Sequence, residues 1–155
     1  MYDLNTGETT SLTSNVQDGF SLSGDNIMAV FTDASDGLWA ASLSSGLNYA
    51  SEYHKNFRKY YIADGENLAG SFLMDMAEDS SGRIWVASEK RGLLYLDPSD
   101  DALHFFRSSL PTNVRSLCSD GDNLWIGSWG DIWRLDTKTG HVSHCCGMRD
   151  NAHRL

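Results

Sequence analysis

Apolar positions in this chain fall in short runs bounded by clusters of Asp, Gly, Ser and Asn, and no run keeps the 3.6-residue period of an amphipathic helix. The runs recur in a fixed order. "IMAVFTD" (27 to 33), "FLMDMAED" (72 to 79) and "VRSLCSD" (114 to 120) each close on aspartate. A turn, a Leu or Ile and a tryptophan follow, opening "WAAS", "WVAS" and "WIGS"; Trp39, Trp85 and Trp125 recur at intervals of 46 and 40 residues. After a glycine come "GLNYAS", "GLLYLD" and "GDIWRLD", and then "FRKYYI", "LHFFR" and "HVSHCC". Each unit therefore holds four runs of strand length.

Four short antiparallel strands repeated every forty-odd residues predict an all-β chain, a β-propeller fragment. One meander has two apolar faces and hides one of them only by stacking on the next, so Trp39, Trp85 and Trp125 are expected as the large inter-blade fillers. Small residues in the same strands, Ala41, Ala87 and Gly127, let neighbouring sheets approach. The expected divisions are 1–25 for the end of a preceding blade and a crossover, then blades at 26–66, 67–110 and 111–155, the last including the start of the next crossover. The opening "MYDLNTGETTSL" reads as outer strand of the preceding blade, because Thr6-Gly7 matches Thr139-Gly140. About three blades cannot close a ring, so the remaining blades of a parent chain or other copies of this one are expected as partners. Asp36-Gly37 and Gly82 suit turns that need positive φ. The third unit is shorter by one residue between Asp and Trp and shorter again at "SWGDI", which predicts an altered hairpin with Trp129 at its tip.

Charge narrows the partners. The net charge of −9 and pI near 4.8 oppose nucleic acid and anionic membrane surfaces, so neither nucleic acid nor direct membrane contact is expected. No stretch has the apolar length of a membrane helix, and the N-terminus lacks the pattern of a signal peptide, as an internal fragment would. The three cysteines, Cys118, Cys145 and Cys146, are too few for a disulfide scaffold and read as small semi-buried hydrophobes. "HVSHCC" invites a zinc reading, but alternation puts His144 with Cys146 on one face and His141 with Cys145 on the other, too few on either for a structural site. No metal or other cofactor is expected.

The combination of an Asp-closed apolar strand, a Gly-containing turn, Leu or Ile, Trp, an apolar residue, a small residue, Ser and then Gly-Leu-x-Tyr resembles the regulator-propeller repeat. It is carried by "DNIMAVFTDASDGLWAASLSSGLNYAS", "FLMDMAEDSSGRIWVASEKRGLLYLD" and "TNVRSLCSDGDNLWIGSWGDIWRLD", which span almost the whole chain; the third copy has "GDIW" in place of the last element. The resemblance implies the periplasmic sensor region of an inner-membrane-anchored hybrid two-component histidine kinase of Bacteroides type. It also implies an oligosaccharide ligand and a homodimer.

In such a meander the loops between second and third strands emerge on one face together with the crossovers. That face collects 43–46, 89–92 and 129–131, with 63–70 and 108–113, and loops on a rigid scaffold are where recognition resides. A sugar stacks its C–H face on an aromatic ring while its hydroxyls bond to polar groups. Trp129, with Glu89, Lys90 and Arg91 of the neighbouring unit and Asp131, is the expected ligand-binding constellation. In "HKNFRKYY" (54 to 61), His54 and Arg58 should face one way and Lys55 and Lys59 the other, which disperses the charge. No nucleophile elbow, phosphate loop or metalloprotease motif occurs, so no catalytic residue is assigned. An enzyme reading, such as a lyase, would place acid and base at the starts of the inner strands, where Asn26, Ser71 and Asn113 are poor bases; a protein-docking scaffold is the other alternative.

Overall fold

The computed structural model describes residues 3–51, 57–60 and 72–147, and among these it has strands and no helix. Blade A comprises β1 (Ile27–Thr32), β2 (Leu38–Ser42), β3 (Leu47–Ala50) and β4 (Arg58–Tyr60). Blade B comprises β5 (Leu73–Glu78), β6 (Ile84–Ser88), β7 (Gly92–Asp97) and β8 (Ala102–Phe105); blade C comprises β9 (Val114–Asp120), β10 (Asn123–Ser128), β11 (Asp131–Asp136) and β12 (Val142–Gly147). Each blade is an antiparallel meander with its strands hydrogen-bonded in chain order. The first strands lie side by side, β1 against β5 and β5 against β9, so the three sheets fan out from a common inner edge.

Stacking is polar in the sense of having a front and a rear. The rear of blade A presents Trp39, Tyr49 and Tyr60 to Ile84, Val86, Leu94, Leu96 and Leu103 on the front of blade B. The rear of blade B repeats this with Trp85, Tyr95 and Phe106 against Leu124, Ile126 and Leu135 of blade C. Flat aromatic rings thus lie on branched aliphatic surface at each junction, and Trp39 and Trp85 are 4% and 1% exposed. Burying an indole of that size contributes on the order of 4 kcal/mol. Trp125 occupies the same strand position on the rear of blade C, where no further sheet follows among the described residues, and it is 37% exposed. The front of blade A is covered instead by Leu22 and Phe57, which pack with Ala40 and Ala50.

The aspartate that ends each of the first two inner strands fixes the tryptophan six residues later. Trp39 Nε1 donates to Asp33 Oδ2 at 2.7 Å, and Trp85 Nε1 to Asp79 Oδ2 at 2.8 Å. The second oxygen of each carboxylate accepts the turn's own amides, from Ser35 and Gly37 in blade A and from Ser81 and Arg83 in blade B. The turn then needs one left-handed residue: Asp36 takes it with φ of 61° and Gly82 with φ of 79°. In blade C the one-residue shortening leaves a two-residue turn, Gly121-Asp122, and puts Ser119 six residues ahead of Trp125, so the aspartate clamp is lost.

Two further differences follow from short hairpins and bulges. The loop between β10 and β11 is Trp129-Gly130, shorter by one residue than its counterpart in blade B. Arg134 therefore pairs with Trp125 where Tyr95 pairs with Trp85, and Trp133 turns to the front face and joins the core between blades B and C. In β12 a register shift beside Ile132 and Trp133 sets Cys146 opposite Ile132 and His144 opposite Trp133. The expected sharing of one face by His144 and Cys146 is thus overturned, because a bulge resets the alternation. The cysteines are also not semi-buried: all three are free and exposed, Cys118 opposite Trp125 and Cys146 opposite Ile132 on the uncovered rear of blade C.

The chain ahead of Ile27 contains no named strand among the described residues, but its turn is that of the other outer hairpins. The Asp3 carboxylate accepts the amides of Asn5 and Thr6, and Gly7 donates back to the Asp3 carbonyl. Asp136 and Gly140 repeat this arrangement in blade C, and Asp97 and Asp101 in blade B. A polar tie joins the inner edges of blades B and C, where Asp75 Oδ2 accepts the Leu117 amide at 2.8 Å.

Candidate functional site

The hairpins between second and third strands share one rim with the crossovers, as the topology requires. Leu43 N donates to the Asn26 carbonyl, Glu89 N to that of Phe72, and Gly92 N to that of Thr112 at 2.9 Å. Under each hairpin sits the serine of the repeat: Ser42 Oγ accepts the Ser45 amide and Ser88 Oγ the Arg91 amide. The hairpins are therefore braced from beneath, and side chains at their tips project from a fixed base. Segment 63–70, expected on the same rim, lies outside the described residues, as do His54, Lys55 and Ser71.

The structure brings Glu89 and Trp129 together through a residue the sequence reading missed. Arg115 stacks its guanidinium over the Trp129 indole, 4.7 Å from the ring centroid, and its Nη2 forms an ion pair with Glu89 Oε1. Trp129 is 69% exposed, so the arginine clasps a ring otherwise presented to solvent. Arg115 reaches this place because it is a bulge residue. The register between β9 and β10 passes from Val114 opposite Ser128 to Ser116 opposite Gly127, skipping Arg115. Met28 and Met74 are skipped at the same point in blades A and B. A bulge re-aims the side chain it carries, and in blade C that side chain is a cation. The available signal was an arginine at the second position of the inner strand "VRSLCSD", where the other two inner strands carry Met28 and Met74.

The other expected members go elsewhere. Lys90 lies over the Phe72 ring at 4.6 Å, and Arg91 over Phe105 at 5.9 Å on the outer side of blade B. Both long side chains have an aromatic surface on their own blade, and cation–π contact together with coverage of their apolar stems holds them there. Asp131 meets His144 Nε2 at 3.1 Å, and that imidazole lies edge-on to Trp133. Arg58 and Lys59 stand on β4, where Arg58 pairs with Asp101 and covers Tyr60 at 5.1 Å.

On the opposite rim a groove of about 450 Å³ opens between blades A and B beside Tyr49, Tyr60, Pro98 and Asp101. Two of its polar groups are already engaged: Tyr60 Oη donates to Asp101 Oδ1 at 3.0 Å, and Asp33 holds Trp39. Burial, with the Asp101 hydrogen bond and charge adding to it, pushes the Tyr60 phenol up to about 12. The turn carboxylates shift the other way. The Ser99 hydroxyl and amide, then Arg83, hold Asp97 below its ordinary value, and the Thr139 amide does the same for Asp136. No group of three or more His, Cys, Asp or Glu among the described residues could hold a metal ion. Two of the three inner strands are preceded by Asn26 and Asn113, whose amides are not bases, and β5 by Phe72.

The family described as two component regulator propeller matches residues 67–90 and 108–130. No curated protein matches the chain. Among solved structures, the extracellular domains of two hybrid two-component systems of B. thetaiotaomicron are each 18% identical, with TM-scores of 0.78 and 0.77. The matches cover 99% and 92% of this chain and 20% of each of those chains. Virginiamycin B lyase from Staphylococcus aureus is also similar, at 13% identity and a TM-score of 0.64, over 79% of this chain and 41% of that one. The chain thus spans about a fifth of the length of the two-component domains it resembles.

Proposed function

We propose that the chain, whose residues 67–90 and 108–130 match the two component regulator propeller family, is a ligand-sensing segment of a longer, extracytoplasmic propeller that serves a two-component sensor histidine kinase in the periplasm. The ligand is an oligosaccharide bound on the rim that carries Trp129, and the complete sensor works as a homodimer. The segment itself is not an enzyme; its part is to bind and to pass on a change in blade or subunit packing. The likeness to extracellular two-component domains supports the setting, and the chain's own chemistry supports the ligand class.

The observation that carries the reading is the Glu89–Arg115–Trp129 clasp. A large exposed indole on a protein surface costs solvation unless it is used, and here it is held rigidly by a cation instead of being folded away. One indole face is covered by Arg115, which fixes the ring and reduces the entropy lost when a sugar stacks on it. Glu89 orients the guanidinium, leaving donors and acceptors at the ring's edge for hydroxyl groups. Calorimetry of the intact protein against a panel of glycans tests the proposal. Trp129→Ala should weaken the best-bound glycan by about tenfold or more, about 1.4 kcal/mol. Unchanged affinity in that variant would remove the stacking site.

A further inference from the structure

The groove of about 450 Å³ between blades A and B lies on the rim opposite Trp129 and has the size of a small-ligand site. Tyr49 and Tyr60 of blade A form one wall, and Ile84, Leu96 and Pro98 of blade B form the other. The walls are held in place. Tyr49 packs on Trp39 with ring centroids 4.5 Å apart, and it lies so close to Gly37 that a Cβ there would fall 2.4 Å from the ring. Glu78 reaches across from blade B, where its Oε2 accepts the Ala34 amide of blade A at 2.9 Å.

That bond uses one carboxylate oxygen. Glu78 Oε1 and the Tyr49 hydroxyl take no hydrogen bond among the described residues. Burial, with the Asp33 charge adding to it, holds the Tyr49 phenol above its ordinary value, so it stays protonated. Asp33 accepts the Ser35 and Gly37 amides and the Trp39 indole, none of which carries charge. Asp101 is paired with Arg58, the one cation among the described lining residues, and that guanidinium lies over Tyr60 at 5.1 Å. Asp33 and Glu78 therefore line the groove without an ion-pair partner among the described residues. A ligand here must bring C–H surface for the walls and a charged donor for the carboxylate.

We propose that this groove binds a protonated amino sugar, whose ammonium group donates to Glu78 Oε1 and the Tyr49 hydroxyl while its ring lies between Tyr49 and Pro98. A pyranose has flat C–H faces that suit two opposed apolar walls, which a narrow alkylammonium chain would leave partly bare. An ammonium beside a partly desolvated carboxylate also gains more than one in open water. The site is separate from the Trp129 clasp and does not depend on it.

Titration calorimetry of the intact protein at mildly acidic pH provides the test, with the disaccharide of glucosamine, its N,N′-diacetyl form and Nα-acetyl-lysine methylamide. The two sugars share a ring skeleton and differ in charge. The glucosamine disaccharide should bind about tenfold tighter than the acetylated one, and raising the salt should erase most of the difference. Glu78→Gln keeps an acceptor for the Ala34 amide and removes the charge, so it should abolish the preference with the unfolding midpoint unchanged. Tyr49→Phe should weaken the amine by about threefold, and Trp129→Ala should leave it at the parent value. Equal affinity for the two sugars overturns the proposal, as does a preference that survives Glu78→Gln. If Glu78→Gln lowers the midpoint, Tyr49→Phe decides, and unchanged affinity there overturns the site. Tighter binding of the lysine derivative than of the glucosamine disaccharide would make the occupant a basic peptide and overturn the sugar assignment. Loss of the preference in Trp129→Ala would move it to the clasp and overturn the groove equally.

Discussion

At the scale of single residues, the strongest device is a carboxylate that serves a turn with one oxygen and a buried indole with the other. Asp79 shows it fully, its side chain 1% exposed and bonded to Trp85, Ser81 and Arg83. Asp79→Ala strands a buried indole N–H and the turn amides, and should cost about 2–4 kcal/mol in urea unfolding. A second effect concerns pH. The phenol of Tyr60 is raised from 10.0 to about 12, so the folded state favours its protonated form. That contribution is complete below pH 10 and disappears as the pH rises through about 12. In an ultraviolet titration one of the six tyrosines should ionise only near that upper value, and Tyr60→Phe should remove this late step. The depressed turn carboxylates Asp97 and Asp136 act at the other end, contributing above their ordinary range and losing that contribution as pH falls below it.

At the scale of elements, four strands per unit were legible because each carries its own marks: an aspartate to end the first, a tryptophan in the second, a glycine before the third. Inter-blade contacts were legible for Trp39 and Trp85 for the same reason. Blade C was less so, because one missing residue in each of two hairpins moves every later side chain by one place. Trp133 changes faces, Arg134 takes a tyrosine's position, and Trp125 loses its clamp. The site was half legible. Loop topology puts Glu89 and Trp129 on one rim, but the arginine that joins them comes from a strand bulge, which alternation does not predict, and Lys90 and Arg91 find aromatic partners that only the tertiary packing supplies. Because Met28 and Met74 hold the equivalent bulge positions, Arg115→Met should keep the fold within about 1 kcal/mol. It should also release the clasp, seen as greater acrylamide quenching of Trp129.

At the scale of the whole molecule, front and rear faces differ, so blades stack head to tail, and among the described residues the rear of blade C carries no further sheet. Trp85→Ala should therefore cost about 3–5 kcal/mol, whereas Trp125→Ala in this chain alone should cost about 1 kcal/mol, measured by urea denaturation. In the intact protein the two costs should converge if another blade covers Trp125. The Asp75 carboxylate bears on how such a stack would transmit a signal. It pins two sheets together at their innermost edge, and the corresponding residue of the first sheet is Ala29, which has nothing to reach across with. Force applied at the periphery would thus swing the second and third sheets about a riveted hub, whereas the first is tied to the second away from that edge, by the Ala34 amide on Glu78 and by Arg58 and Tyr60 on Asp101.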